Sequence, residues 1–114
     1  MIVHVVLFRP RAELTADNRS ALAEALSAAL RDIPSIRRAR VGRRVMHGRP
    51  YEGLMHVDYS HAAFLEFDDL AGLQAYLQHP AHDRLAGEFF QAFAEALMYD
   101  FELEEGETAV RGLV

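Results

Sequence analysis

The 114-residue sequence predicts a single α+β domain whose elements follow the order βαββαβ. Two periodicities support this prediction. Short segments place apolar residues at every second position, as strands do, and longer segments place them every three or four positions, as helices do. A hydrophobic content of 51% provides for one core, because a chain of this size buries roughly two-thirds of its unfolded surface.

The first strand is predicted over residues 2–9, where β-branched and aromatic residues run up to Pro10. Alternation along the strand places His4, Val6 and Phe8 on one face. The other face is apolar as well. Both faces of this strand should therefore be covered by other parts of the protein.

The first helix is predicted to follow, with Thr15 as its N-cap and Pro34 beyond its end. Its apolar residues recur at helical spacing: Leu22, Ala25, Leu26, Ala29, Leu30 and Ile33. Alternation then predicts a second strand over residues 36–46. A loop with glycines and a proline leads from there to a third strand over residues 59–67.

Two helices are predicted between the third and fourth strands. Asp68 or Asp69 caps the first of them, and Pro80 opens the second, which runs to about Ala96. One stripe of that last helix holds His82, Leu85, Phe89, Phe93 and Ala96. His79 precedes the helix and is expected to cap it.

The fourth strand is predicted over residues 98–104, which completes a ferredoxin-like pattern with an antiparallel four-stranded sheet. The domain is therefore predicted to span residues 1–104. Residues 105–114 show no periodicity, and we expect them to form a tail or a partner-contacting arm.

One face of the predicted sheet has no helix to cover it, and we call it the open face. It would present Val3, Val5, Leu7, Phe64, Tyr99, Phe101 and Leu103. Exposed apolar area of this extent usually marks an interface, and two copies related by a two-fold axis would bury it symmetrically. We therefore predict a homodimer that packs through the open face.

The composition excludes several classes of chemistry. A formal charge of −5 argues against nucleic acid as a partner, because such binding needs many cations. The chain has no Cys and no Lys, so thiolate sites and Schiff bases are excluded. Its twelve basic residues are all Arg, which is typical of a GC-rich bacterial genome. Without a signal peptide or a bilayer-spanning apolar run, we expect a cytoplasmic protein with no membrane partner.

Four segments of the chain resemble a known protein family. They are His-Val-Val-Leu-Phe-Arg at 4–9, Phe-Asp-Asp-Leu at 67–70, Tyr-Leu-Gln-His-Pro-Ala-His at 76–82 and Met-Tyr-Asp-Phe at 98–101. Together they are similar to the stress-responsive dimeric α/β-barrel family, abbreviated Dabb, over most of the chain. The resemblance implies a ferredoxin-like protomer that dimerises through its sheet into a barrel, with a pocket between sheet and helices.

One branch of that family, a plant polyketide cyclase, performs an intramolecular aldol condensation without a cofactor, using a histidine base assisted by a tyrosine. The sequence matches the polar pattern of this branch at His4, His61, Tyr76 and His82. The resemblance implies that His82 is the catalytic base and Tyr76 its helper, since imidazole accepts a proton near neutral pH. The structural alternative is that both side chains only complete buried polar contacts.

The predicted ligand is a small apolar or aromatic carbonyl compound held between sheet and helices, with no cofactor. Besides His82 and Tyr76, the residues expected to contact it are His4, Val6, Phe8, His61, Leu65 and Leu85. Three imidazoles also suggest a metal site. No carboxylate stands beside them at a ligand spacing, however, so we predict no metal.

Two other functions stay open at this stage, so the sequence does not decide whether the protein is an enzyme. One is a non-enzymatic, stress-responsive structural protein, and the other is a cofactor-free oxygenase. The arginine-rich segment 37–49 could draw an anionic substrate. We favour a solvated strand face whose charge is countered by the acidic residues in 102–107.

Overall fold

A computed structural model describes residues 1–113 and has the predicted ferredoxin-like α+β fold. Its elements are β1 (Ile2–Pro10), α1 (Ala16–Asp32), β2 (Arg38–Arg43), a 3-10 helix (Pro50–Leu54), β3 (His61–Phe67), α2 (Leu70–Gln78), α3 (Pro80–Ala92), β4 (Phe93–Glu102) and α4 (Gly106–Leu113). The four strands form one antiparallel sheet in the order β2-β3-β1-β4. Helices α1, α2 and α3 pack on one side of it, which we call the inner face.

The core lies between the inner face and these three helices. Its buried side chains are Ile2, Leu65 and Phe67 from the sheet and Ala25, Ala29, Ile33, Leu73, Tyr76 and Leu85 from the helices. Strand β1 is central, with β3 and β4 paired on its two sides. His4 therefore lies directly between Leu65 and Asp100, and all three side chains point to the inner face.

The helix starts are where the sequence predicts them. Thr15 caps α1 and forms a capping box with Asn18, and Asp69 caps α2 by accepting a hydrogen bond from the backbone N–H of Gly72 at 2.9 Å. His79 caps α3, because its Nδ1 accepts from the backbone N–H of Ala81. These side chains satisfy donors that the first turn of a helix leaves without a partner.

The end of α3 and the start of β4 differ from the prediction. The helix ends at Ala92 rather than near Ala96, and the strand begins at Phe93 instead of residue 98. Ala and Glu in residues 94–96 favour a helix by propensity. Backbone pairing with the last residues of β1, down to Pro10, outweighs that preference. The predicted helical stripe is therefore wrong beyond Phe89.

Three other boundaries also differ. Strand β2 is shorter than the predicted 36–46, and β3 begins two residues after the predicted position 59. Within the predicted tail, residues 106–113 form α4. Its apolar stripe of Ala109, Val110 and Leu113 is too short for a periodicity to be visible. Both Val110 and Leu113 are exposed.

The open face carries the predicted apolar residues. Val3, Val5, Leu7, Phe64, Tyr99 and Phe101 alternate with the inner-face residues along their strands. Tyr99 is 56% exposed and Phe101 51% exposed, so this protomer leaves large aromatic side chains uncovered. Leu103 follows the end of β4. No helix within residues 1–113 is long and apolar enough to cross a membrane.

The arginine-rich segment pairs with carboxylates other than the predicted ones. Arg38 and Arg40 both approach Glu66 on the neighbouring strand. Arg37 pairs with Asp68, and Arg44 pairs with Asp58. The predicted partners in 102–107 follow β4, at the opposite edge of the sheet from β2. Within one protomer that prediction is wrong.

Candidate functional site

A cavity of about 390 Å³ lies between the inner face of the sheet and helices α1, α2 and α3. Its wall is almost entirely hydrocarbon. The lining residues are His4, Val6, Phe8, Leu22, Leu26, Leu30, Ala39, Val41, Ala63, Leu65, Tyr76, Leu77, His82, Leu85, Ala86, Phe89, Phe90, Phe93 and Met98. The volume lies in the range typical of small-molecule sites. The polar side chains in the wall belong to His4, Tyr76 and His82.

His4 is held by a carboxylate at the wall of the cavity. Its Nδ1 lies 2.6 Å from Oδ1 of Asp100, which stands opposite it on β4. The imidazole is buried, and the carboxylate is about half exposed. Because an ionised carboxylate only accepts hydrogen bonds, Nδ1 of His4 carries the hydrogen. When the ring is neutral, Nε2 is the nitrogen that can accept a hydrogen bond.

Tyr76 lies between the two histidines. Its ring centroid is 5.8 Å from that of His4 and 4.7 Å from that of His82, in an edge-on contact with the latter. The residue is 3% exposed. Burial raises the pKa of Tyr76 to about 12, and the charge of Asp100 acts in the same direction. The hydroxyl therefore stays protonated at neutral pH and can donate a hydrogen bond.

His82 occupies the first turn of α3, where the cap at His79 fixes the start of the helix. Burial lowers the pKa of His82 below its usual 6.5. The charge of Asp83 opposes this shift, and His4 adds to it. The imidazole is therefore neutral at pH 7. A neutral imidazole has a lone pair and can accept a proton.

One nitrogen of His82 is hidden from the cavity. Its Nδ1 is buried and has no hydrogen-bond partner within residues 1–113. Since the ring lines the cavity, Nε2 is the nitrogen that a ligand would contact. His82 thus differs from His4, whose Nδ1 is tied to a carboxylate. The two imidazoles flank the hydroxyl-bearing ring of Tyr76.

The structure brings seven of the eight predicted site residues to the cavity wall: His4, Val6, Phe8, Leu65, Tyr76, His82 and Leu85. His61 is the exception. It stands at the start of β3, where its ring stacks on Phe8 with centroids 5.4 Å apart, and its Nδ1 bonds to the hydroxyl of Ser60. His61 therefore lies beside Phe8 on the inner face, next to the residues that line this cavity. Its contact with a ligand stays a prediction.

Sequence reasoning missed Asp100. A signal for it was present, because Tyr99 and Phe101 were assigned to the open face and Asp100 between them must then point inward. The leucines of α1 were predicted only as part of the apolar face of a helix. In the structure Leu22, Leu26 and Leu30 line the cavity, and the partial exposure of Leu30 shows that the space beside them is not filled.

A metal site has no geometric support in the part of the chain that the structure describes. No three His, Asp or Glu side chains within residues 1–113 lie close enough together to hold an ion. The polar groups of the cavity instead form a line from Asp100 through His4 and Tyr76 to His82. This arrangement can donate one hydrogen bond from a phenol and accept a proton at an imidazole.

The family model of the Stress responsive A/B Barrel Domain, Dabb, matches residues 2–103. The chain belongs to the Dabb family. The match ends just before α4, so this helix lies outside the part of the chain that the family defines. No protein with a curated description matches the chain.

Solved structures share the Dabb fold along nearly the whole chain. A dimeric ferredoxin-like protein of unknown function from Thermobifida fusca is 26% identical, with a TM-score of 0.67 and 90% of each chain covered. A hydroxynitrile lyase from Passiflora edulis is 18% identical, with a TM-score of 0.74, over 92% of this chain and 94% of that one. A mutant of SnoaB, a cofactor-independent oxygenase from Streptomyces nogalater, is 16% identical, with a TM-score of 0.66, over 93% and 95%.

Proposed function

We propose that this Dabb protein binds a small, largely apolar carbonyl compound in the cavity and moves a proton on it without a cofactor. The observation that carries the proposal is the contact of Tyr76 with His82 at the wall of a hydrocarbon-lined cavity. A ligand with an apolar body fits such a wall, and its polar group would meet the side chains of His4, Tyr76 and His82. The reaction class is that of aldol cyclases and isomerases.

The two side chains would have complementary roles. His82 is neutral at pH 7 because burial lowers its pKa, so Nε2 can take a proton from the carbon beside the carbonyl group. Tyr76 keeps its proton because its pKa is raised to about 12, so its hydroxyl can donate to the enolate oxygen that forms. The protonated His82 then returns the proton to carbon or oxygen of the product.

His4, held by Asp100, would supply the third polar side chain at the cavity wall. The hydrogen bond of 2.6 Å fixes the orientation of the His4 ring beside Tyr76. Nε2 of His4 can accept a hydrogen bond from the Tyr76 hydroxyl or from a ligand. The pair therefore serves to orient the donor and not to take the proton from carbon.

The functional unit is proposed to be a homodimer that packs through the open face. The Thermobifida fusca relative is dimeric, and exposed aromatic side chains such as Tyr99 and Phe101 of this chain are usually buried in an interface. The cavity lies on the other side of the sheet, between sheet and helices. Dimerisation would thus leave one complete cavity in each protomer.

Proton exchange on a model ketone tests the proposed chemistry. Acetophenone combines an aromatic ring with a carbonyl group and an enolisable methyl group, and its uptake of deuterium from heavy water can be followed by proton NMR. We expect the protein to accelerate this exchange. His82→Ala should reduce the acceleration by about 10²-fold or more. Tyr76→Phe should reduce it by a factor on the order of 10².

His56→Ala is the matched control, because it removes an imidazole from an exposed loop position outside this cavity. It should leave the exchange rate unchanged. An equal loss in His56→Ala and His82→Ala would contradict the proposed role of His82. If neither cavity variant changes the exchange while both lower the melting temperature, the side chains are structural, and the non-enzymatic function is favoured.

A cofactor-free oxygenase is the second candidate. The aromatic part of the cavity wall favours it, since Phe8, Phe89 and Phe93 contact one another and could hold an aromatic substrate. SnoaB, which shares the fold, is described as a cofactor-independent oxygenase. Oxygen consumption with an electron-rich phenol such as 1-naphthol would distinguish this reaction from proton exchange, which uses no oxygen.

A further inference from the structure

The last residue of β4 and the segment after it form an arm, residues 102–113. The arm is tied to its own protomer at its start, where Glu102 pairs with Ile2 and the backbone N–H of Leu103 donates to the carbonyl of Met1. Glu102, Glu104 and Glu105 form no ion pair within residues 1–113. The helix α4 that follows has an apolar stripe, of which Val110 is 66% exposed and Leu113 83% exposed. An amphipathic helix gains stability mainly by burying such a stripe. The arm thus carries unpaired negative charge and uncovered hydrocarbon together.

The opposite edge of the sheet carries the complementary charge. Arg38 and Arg40 of β2 share the single carboxylate of Glu66, so two positive charges face one negative charge. By register, both arginines and Glu66 lie on the open face. Strand β2 is an edge strand, so one side of its backbone has no strand beside it.

The arm and this arginine edge cannot meet within one protomer. They lie at the two edges of the sheet, about 14 Å apart if neighbouring strands are about 4.8 Å apart. The start of the arm and Arg38 nevertheless lie at the same height along the strand direction. Arg38, Glu66, Val3 and Phe101 stand in one row across the sheet, and the arm begins one residue after Phe101.

Two face-to-face arrangements with aligned strands have two-fold symmetry, and they bring different edges together. An axis across the strands places β2 over the partner's β2, which sets arginine-rich edges against each other. An axis along the strands places β4 over the partner's β2. The row that contains Arg38 and Phe101 then faces the same row of the partner. Because like charges at an interface are unfavourable and opposite charges favourable, electrostatics select the axis along the strands.

We propose that the arm of each protomer clasps the β2 edge of a second copy. Glu104 and Glu105 would lie close to the partner's Arg38 and neutralise the positive charge that Glu66 does not balance. Packed sheets lie about 10 Å apart, a gap that facing arginine and glutamate side chains can span. Helix α4 would then lay Val110 and Leu113 on the partner. Glu104, Glu105 and α4 all lie beyond residue 103, where the match to the family model ends.

Charge reversal tests the clasp by sedimentation at low ionic strength. The double variant Glu104→Arg and Glu105→Arg should raise the dimer dissociation constant by about tenfold, because attraction becomes repulsion. Adding Arg38→Glu to the same chain should recover much of the loss. The matched control reverses Glu13 and Glu24, two exposed acids on the helix side. It changes the net charge equally and should leave the dissociation constant unchanged.

Crosslinking tests the geometry independently, since the chain has no cysteine of its own. A mixture of the Arg38→Cys and Glu104→Cys proteins should give a crosslinked heterodimer with a short bismaleimide. The axis across the strands instead predicts a crosslink between Arg38→Cys and Gly42→Cys, a position on the same strand face with free space for a side chain. That second result would overturn the proposal.

The failure of the clasp is distinguishable from the failure of the dimer. If the native chain sediments as a monomer, the dimer proposed above fails together with the clasp. If the chain is dimeric but charge reversal in the arm matches the Glu13 and Glu24 control, only the clasp is overturned. Ketone exchange in the cavity is measured separately and does not depend on either result.

Discussion

At the scale of single residues, the site depends on three polar side chains with different surroundings. His4 has a carboxylate partner, Tyr76 is buried among rings, and Nδ1 of His82 has no partner within the described chain. The sequence could place all three toward one space, because alternation and helical spacing fix where side chains point. It could not give the His4 pairing, since that depends on which residue of β4 stands opposite β1.

Removal of the carboxylate at Asp100 should destabilise the protein. Asp100→Ala leaves Nδ1 of the buried His4 without a partner, and the expected loss of unfolding free energy is about 1–3 kcal/mol. Urea unfolding followed by circular dichroism measures it. Glu95→Ala, an exposed position on the same strand, is the control and should change stability little. Equal effects of the two variants would contradict the importance of the His4 contact.

The lowered pKa of His82 should make stability depend on pH. Below the unfolded value of about 6.5, the unfolded chain takes up the proton more readily than the folded one. The contribution of the neutral ring is therefore complete above that value and is lost as the pH falls toward the folded pKa. Urea unfolding of the native chain and of His82→Gln at about pH 7.5 and pH 5 measures it. An identical pH dependence of the two proteins would contradict the shift.

At the scale of elements, helix starts were predictable, and several strand boundaries, above all the start of β4, were not. Thr15, Asp69 and His79 cap helices through contacts within three residues, so the sequence contains the whole motif. The start of β4 at Phe93 depends on backbone pairing with β1, more than eighty residues away along the chain. Local propensity favoured a helix there, and long-range pairing decided against it.

The cap of α2 predicts that substitutions of two adjacent aspartates change the unfolding free energy by different amounts. Asp69→Ala removes the acceptor for the backbone N–H of Gly72, so it should cost about 1 kcal/mol of unfolding free energy. Asp68→Ala removes only an exposed ion pair with Arg37 and should cost less than about 0.5 kcal/mol. Urea unfolding of both variants compares them directly. A larger loss in Asp68→Ala would show that the cap is assigned to the wrong residue.

At the scale of the whole molecule, the sequence predicts the fold but not the cavity. The volume between sheet and helices is the small difference between the space that the elements enclose and the space that side chains fill. Leucines such as Leu22 and Leu26 look like core residues in the sequence, and only the packed structure shows the space beside them. The arginine partners were also mispredicted, because the acidic residues in 102–107 lie at the opposite edge of the sheet from β2.

The most direct test of the central claim is the location of a bound ketone. Nuclear Overhauser contacts between unlabelled acetophenone and the isotope-labelled protein identify the side chains around it. We expect contacts to Tyr76, His82 and Phe89, and we expect them to be lost in Ala86→Phe, which fills the cavity from α3. Ala23→Phe, on the exposed side of α1, should leave them unchanged. Contacts confined to Tyr99 and Phe101 of the open face would contradict the account.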